Sequence, residues 1–172
     1  GEVYNTDQLI ANYLKGVPLR STSDTEVVLR LIQNLGLTQT AKVIDGMFAI
    51  ALYDSKSRTL QLARDRFGIK PLYYANRNGK FVFASEIKPI LASKVVPTEM
   101  DQDALSELAI FRYVADPMTP FKGVVSLPPG TTATLNTDGV LKIEQYWSPT
   151  YVTKGNRRPV GIPPDPDAVA DL

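Results

Sequence analysis

Residues 47–85, MFAIALYDSKSRTLQLARDRFGIKPLYYANRNGKFVFAS, decide the fold. Apolar or alternating runs occupy 47–54, 59–64, 70–76 and 80–85, and they are separated by SKSR, DRFG and Arg77-Asn78-Gly79. Runs of this length, rich in Val, Ile, Leu, Phe and Tyr and bounded by turn residues, read as strands. Asn-Gly suits the positive φ angles of a tight hairpin. The first run is apolar enough to be a buried strand. The short connections predict that all four pair in sequence, as one antiparallel meander over 47–85.

On the N-terminal side the period becomes helical. Residues 1–5, GEVYN, read as a strand end, with Thr6 or Asp7 capping a helix through Lys15 and Gly16 stopping it. GVPLRSTS is a loop. Ser23-Asp24-Thr25-Glu26 matches a capping box, in which Ser23 takes the Glu26 amide and Glu26 returns to the Ser23 amide. Val27, Val28, Leu31, Ile32 and Leu35 then make an apolar stripe that Gly36 ends, and 39–45 forms another short helix.

On the C-terminal side SEIKPILAS is a short helix with Pro89 in its first turn. Asp101 caps a helix through Phe111 with Leu105, Leu108 and Ala109 inward. Residues 114–130 hold four prolines and read as loop. TTATLN and VLKIEQYW flank Thr137-Asp138-Gly139 as another hairpin. Residues 149–167, which include Lys154, Arg157 and Arg158, read as a solvated linker, and 168–172 as the start of a further helix.

Length and composition narrow the function. The 172 residues suit one domain, or one domain plus a tail, and 44% are apolar, enough for a sizeable core. Lys and Arg number 19 against 18 Asp and Glu, a balance that argues against nucleic acid or an anionic membrane as partner. No run reaches the length of a membrane span, and there is no secretory signal. The chain has neither Cys nor His. That excludes disulfides, thiolate nucleophiles, imidazole bases and nearly all zinc sites. It fits a cytoplasmic protein, and chemistry within the chain falls to carboxylates, hydroxyls, Lys or backbone amides.

Three stretches have chemical potential. Gly1-Glu2 offers backbone that can approach a ligand closely and an N–H that can donate to an oxyanion. The plainer alternative, a turn Gly beside an exposed Glu, is the one that spacing alone favours. Asp24 is either a helix-dipole partner or a carboxylate that holds an ammonium group, and again spacing favours the plainer role. Arg64, Asp65 and Arg66 suggest an anion site or, more simply, a charged hairpin tip. No Gly-rich phosphate loop is present.

Taken together, GEVYN, SDTEVVLRLI, DGMFAIALYD, LARDRFGIKPLYYA, FVFASEIKPILA, FRYVADPMTPFKGVVSLPPG and YW occur in this order. The chain resembles the glutaminase (class II glutamine amidotransferase) domain of glutamine-hydrolysing asparagine synthetases, from residue 1 to about 148. The block from FRYV to LPPG points to that branch, which also contains relatives that close β-lactam rings or cyclise peptides. The resemblance implies an α+β fold, the N-terminal-nucleophile hydrolase sandwich, with two antiparallel sheets between helix layers in α/β/β/α order. It implies a parent in which an N-terminal Cys attacks the side-chain amide of L-glutamine. Ammonia then passes to a synthetase domain that uses ATP and Mg²⁺ to activate aspartate, and the parent is a possible homodimer.

By the same resemblance Gly1 is the Gly of an Asn-Gly-Glu motif and a backbone oxyanion donor. Glu2 lines the glutamine pocket, and Asp24 binds the substrate α-ammonium. These matches reverse the plainer readings of Glu2 and Asp24. They leave Arg64, Asp65 and Arg66 structural, and place Arg112 and Tyr113 toward the synthetase domain. The departures are large. The nucleophilic Cys, the Arg that grips the α-carboxylate and the oxyanion Asn lie upstream of Gly1, and the ATP loop lies downstream of Leu172. Gly1 has no side chain to replace the nucleophile, and as a free N-terminus it would carry an ammonium in place of the donor amide. The expectation is an internal fragment, lacking an N-terminal segment and the synthetase domain. It contributes glutamine-pocket residues with no catalytic side chain and no metal of its own, and is inactive alone. A non-catalytic scaffold or partner-binding module is the alternative. Lost N-terminal strands would leave unpaired sheet edges and a chain prone to aggregate.

Overall fold

The computed structural model describes residues 1–149. The expected linker and the start of a further domain lie, from residue 150 on, outside the described residues.

Three helices come first: α1 (Thr6–Tyr13), α2 (Asp24–Leu35) and α3 (Leu37–Val43). Between the chain start and α1 lies β1 (Glu2–Val3), which pairs antiparallel with β2 (Gly46–Met47). The α2 stripe is as expected, with Val27, Leu31 and Ile32 buried. Gly36 closes it at φ +78, where a side chain would be strained. The capping box does not form. Ser23 Oγ accepts from Thr25 N–H at 3.3 Å, while the Glu26 carboxylate turns back to the N–H groups of Arg20 and Ser21. The preceding loop supplies more donors than the Ser23 amide alone. Asn5, rather than Thr6 or Asp7, precedes α1, and the helix ends before Lys15.

The strands form two larger sheets. One has the order β3 (Ala49–Asp54), β4 (Thr59–Arg64), β8 (Thr131–Leu135), β9 (Leu141–Gln145). The other has the order β6 (Lys80–Ala84), β5 (Tyr73–Arg77), β7 (Val125–Ser126). The expected four-stranded meander is therefore two hairpins in different sheets. The reason is the connection 65–72. Asp65 is 1% exposed and its carboxylate collects backbone N–H groups, so the chain leaves one sheet for the other where a hairpin tip would have turned back. The 47–54 run also divides at Phe48, and β3 lies at an edge of its sheet, half-exposed rather than buried. Asn78 and Gly79 do form the tight turn, at φ 54 and 70. The 131–145 hairpin is present as expected, and the 114–130 loop contains β7.

Side-chain parity on the strands sorts the core into three layers. Ala63, with Phe48 and Tyr146, packs against Leu9, Leu31 and Ile44 of the helical region. Its neighbour Leu62 points the other way, to Tyr74, Leu127 and Ala133 between the sheets. Ala75, next to Tyr74, points out to Ile90 of α4 (Ile87–Ala92) and to Val96 and Val124. Helix, sheet, sheet and helix are thus stacked in the expected α/β/β/α order.

The fifth helix, α5 (Gln102–Phe111), is capped by Asp101, whose carboxylate accepts N–H from Asp103 and Ala104 at 3.0 and 3.1 Å. The inward face differs from expectation: Ala104 is its buried residue, Leu105 is half-buried, and Leu108 and Ala109 are exposed. The helix is held by its N-terminal end, through Asp101 N–H to Pro120 O and the Met100–Phe121 bridge, and not by a full apolar face.

Candidate functional site

The site grows from the short β1–β2 ladder. Glu2 pairs with Met47, and Val3 with Gly46. The backbones run so close that a Cβ on Gly46 would lie 2.2 Å from Glu2 O, and one on Gly1 would lie 2.9 Å from Met47 O. Gly1 and Gly46 are therefore required by contact. A second tie comes from α2. Asp24 is its first residue, and Asp24 Oδ2 accepts the Val3 N–H at 3.2 Å. The strand that carries Glu2 is thus fixed on one side by β2 and on the other by the start of a helix.

These elements enclose a cleft of about 310 Å³. Gly1, Glu2, Val3, Asp24 and Thr25 line one end of it, while Val28, Leu29, Ile32 and the segment Phe48–Leu52 give apolar walls. The structure brings together all three residues singled out from the sequence: Gly1, Glu2 and Asp24. It adds Thr25, whose hydroxyl donates to Asp24 Oδ1 at 3.4 Å, and Leu29, which is 42% exposed. Leu29 could have been found from its spacing, since residues four apart share a helix face and Thr25 stands one turn before it. The Met47–Phe48 backbone carried no such signal, because its part is played by main-chain atoms.

Chemically the cleft offers two carboxylates, one hydroxyl and main-chain groups at one end of an apolar trough. That is a recognition surface for a small molecule with a cationic head and a short chain. Among the described residues no group of three or more His, Cys, Asp or Glu is placed to hold a metal ion.

Behind the cleft lies a buried polar network. Arg64 sends its guanidinium to Gly68 O, Lys70 O, Ser126 Oγ, Leu127 O and Asp116 Oδ2. The Tyr146 hydroxyl donates to Arg64 O at 2.8 Å, and burial pushes that phenol well above its ordinary range. Arg66 reaches Lys42 O and pairs loosely with Asp45. Arg64, Asp65 and Arg66 are structural in what they touch, although Arg64 and Asp65 are buried rather than at an exposed tip. Arg112 ends α5 in the left-handed region at φ 62, and Tyr113 beside it is 62% exposed. Neither lines the cleft.

A family model described as a glutamine amidotransferase domain matches residues 1–147. Asparagine synthetase [glutamine-hydrolyzing] 3 of Bacillus subtilis is 37% identical over 150 residues, covering 86% of this chain and 24% of the relative. Asparagine synthetase [glutamine-hydrolyzing] 1 of the same organism is 34% identical over 161 residues, covering 93% of this chain and 24% of the relative. The chain thus spans about a quarter of the length of these relatives. Among solved structures, the glutamine phosphoribosylpyrophosphate amidotransferase of B. subtilis superposes with a TM-score of 0.54 at 21% identity, over 84% of this chain and 27% of that one. That likeness shows the fold, an α+β sandwich of antiparallel sheets between helices. With the family model matched across nearly all the described residues, this chain belongs to the glutamine amidotransferase domain family.

Proposed function

We propose that the chain forms the glutamine-recognising wall of the ammonia-generating half of a glutamine-dependent asparagine synthetase. The observation that carries this is the convergence of Gly1, Glu2 and Asp24 on one cleft in a chain whose relatives are such synthetases. Asp24 holds the substrate α-ammonium. Its Oδ2 is already aligned by the Val3 N–H, and its remaining lone pairs are free for a charge-assisted bond. Glu2 lines the same polar end, and the Gly1 backbone N–H, as a peptide amide, is an oxyanion donor. Residues 1–148 act as the amidotransferase part, followed by a linker and a synthetase domain. The nucleophile comes from outside these 172 residues, which contain no Cys. ATP and Mg²⁺ serve the synthetase part, and no step on this chain passes through them. Aspartate, glutamine, ATP and water would yield asparagine, glutamate, AMP and diphosphate. The parent protein works in the cytoplasm as a homodimer. Among the described residues no helix is long and apolar enough to cross a membrane.

The test is made on the full gene product that carries this chain, with glutamate release and ATP-dependent asparagine formation as readouts. Asp24→Ala is expected to raise the KM for glutamine about tenfold or more, the loss of one hydrogen bond to a charged group. An unchanged KM refutes the assignment of Asp24. An ATP-dependent product other than asparagine assigns the parent to the ring-closing relatives. A folded wild-type protein that never hydrolyses glutamine makes the domain a scaffold.

A further inference from the structure

Phe48 stands at the break between β2 and β3, where ladder bonding within the strands lapses. Both of its backbone groups are nevertheless held, and both by Asp65. Asp65 N–H donates to Phe48 O at 2.9 Å, and Phe48 N–H donates to Asp65 Oδ2 at 3.2 Å. The same carboxylate accepts N–H from Phe67 and Ile69 on Oδ1, at 3.1 and 3.0 Å, and from Lys70 on Oδ2, at 2.9 Å. Four backbone donors surround a side chain that is 1% exposed. Two of them meet each oxygen, so an amide cannot substitute: either way round, its NH₂ would face two N–H groups.

This clamp acts on the cleft. A Cβ at Gly1 would lie 2.9 Å from Met47 O and 3.2 Å from Phe48 Cα, so Gly1 rests directly on the segment that Asp65 fixes. Glu2 pairs with Met47 in the adjoining ladder. The position of the polar end of the cleft is therefore set, one residue removed, by a carboxylate that does not line it. We infer that Asp65 is a positioning residue for the cleft, holding Met47–Phe48 where Gly1 and Glu2 can meet the ligand. The kinetic consequence rests on the reading of that cleft as a glutamine site.

The experiment compares wild type, Asp65→Asn and Ile90→Ala in the full gene product. Ile90 is buried in the α4 layer on the opposite side of the sheets and serves as a destabilised control. Two readouts are taken: the KM and kcat for glutamine hydrolysis, and amide hydrogen exchange of segments 1–4 and 45–50. Asp65→Asn is expected to raise the glutamine KM about tenfold, since small misplacement of binding groups is costly, and to speed exchange in both segments. Ile90→Ala is expected to lower the melting temperature and leave the KM and both segments as in wild type. The inference is overturned if Asp65→Asn behaves like Ile90→Ala, or if 45–50 loosens while 1–4 does not. Should wild type hydrolyse no glutamine, the glutamine reading fails, and the exchange data alone still judge the clamp. Where Asp65→Asn yields no folded protein, Asp65→Glu takes its place. Its extra methylene keeps the charge but displaces Phe48, and a wild-type KM with wild-type exchange overturns the inference.

Discussion

At the scale of single residues, the side chains that matter here are fixed by backbone partners more than by one another. Glu26 shows the consequence for pH. The N–H of Arg20, the hydroxyl and N–H of Ser21 and the nearby Arg30 together hold its carboxyl below its ordinary value of 4.5. A carboxyl more acidic in the folded state stabilises that state above the unfolded value, and the contribution fades as pH falls through the folded value. Glu26→Gln is therefore expected to lower the urea midpoint at neutral pH, with the gap from wild type closing below about pH 4.5. A gap that stays constant with pH would show that the hydrogen bonds survive without the charge. The candidate site was legible at this scale only in part. Asp24 and Glu2 look like ordinary surface acids by spacing, and the ordered blocks of the resemblance singled them out. The grip of Asp65 on Phe48 was not legible, because a carboxylate bonded to amides seventeen residues away in the chain leaves no periodic trace.

Among elements, local signals predicted what local forces decide. Gly36, Asn78-Gly79 and Asp101 act as the dihedral and capping rules require. Asp101→Ala is expected to cost about 1 kcal/mol, the usual worth of an N-cap. Denaturant unfolding would measure it, and a loss near zero would mean that the anchor at Pro120 holds α5 without the cap. The failures share a different cause. Sequential strands pair more often than not, which favoured a meander. Nothing in the alternation of TLQLAR states that Leu62 and Ala63 face different layers of one sandwich, with β8 as the next neighbour. Likewise the apolar positions of α5 predict a buried face, whereas that helix is tethered at one end and leaves Ile110 and Phe111 72% and 62% exposed. Which face is covered is a tertiary fact.

For the molecule as a whole, the α/β/β/α order places the cleft at a sheet edge. Among the described residues β3 is the terminal strand of its sheet, and Tyr53 on it is 61% exposed. An open edge with an apolar rim is a template for strand addition. The 172-residue chain expressed alone is therefore expected to associate as its concentration rises, and Tyr53→Lys to reduce that association in light scattering. Equal scattering from both would place the sticky surface elsewhere, the exposed end of α5 being the alternative. The closing hairpin adds an optical property. Trp147 is the one tryptophan of the chain. Its ring meets that of Phe67 edge-on at 5.0 Å, and its backbone N–H, like that of Tyr146, donates to Gly130 O. Gly130 in turn donates to Asp65 O. The sole indole chromophore thus packs directly on Phe67, so its fluorescence reports on the 65–70 turn with no label attached.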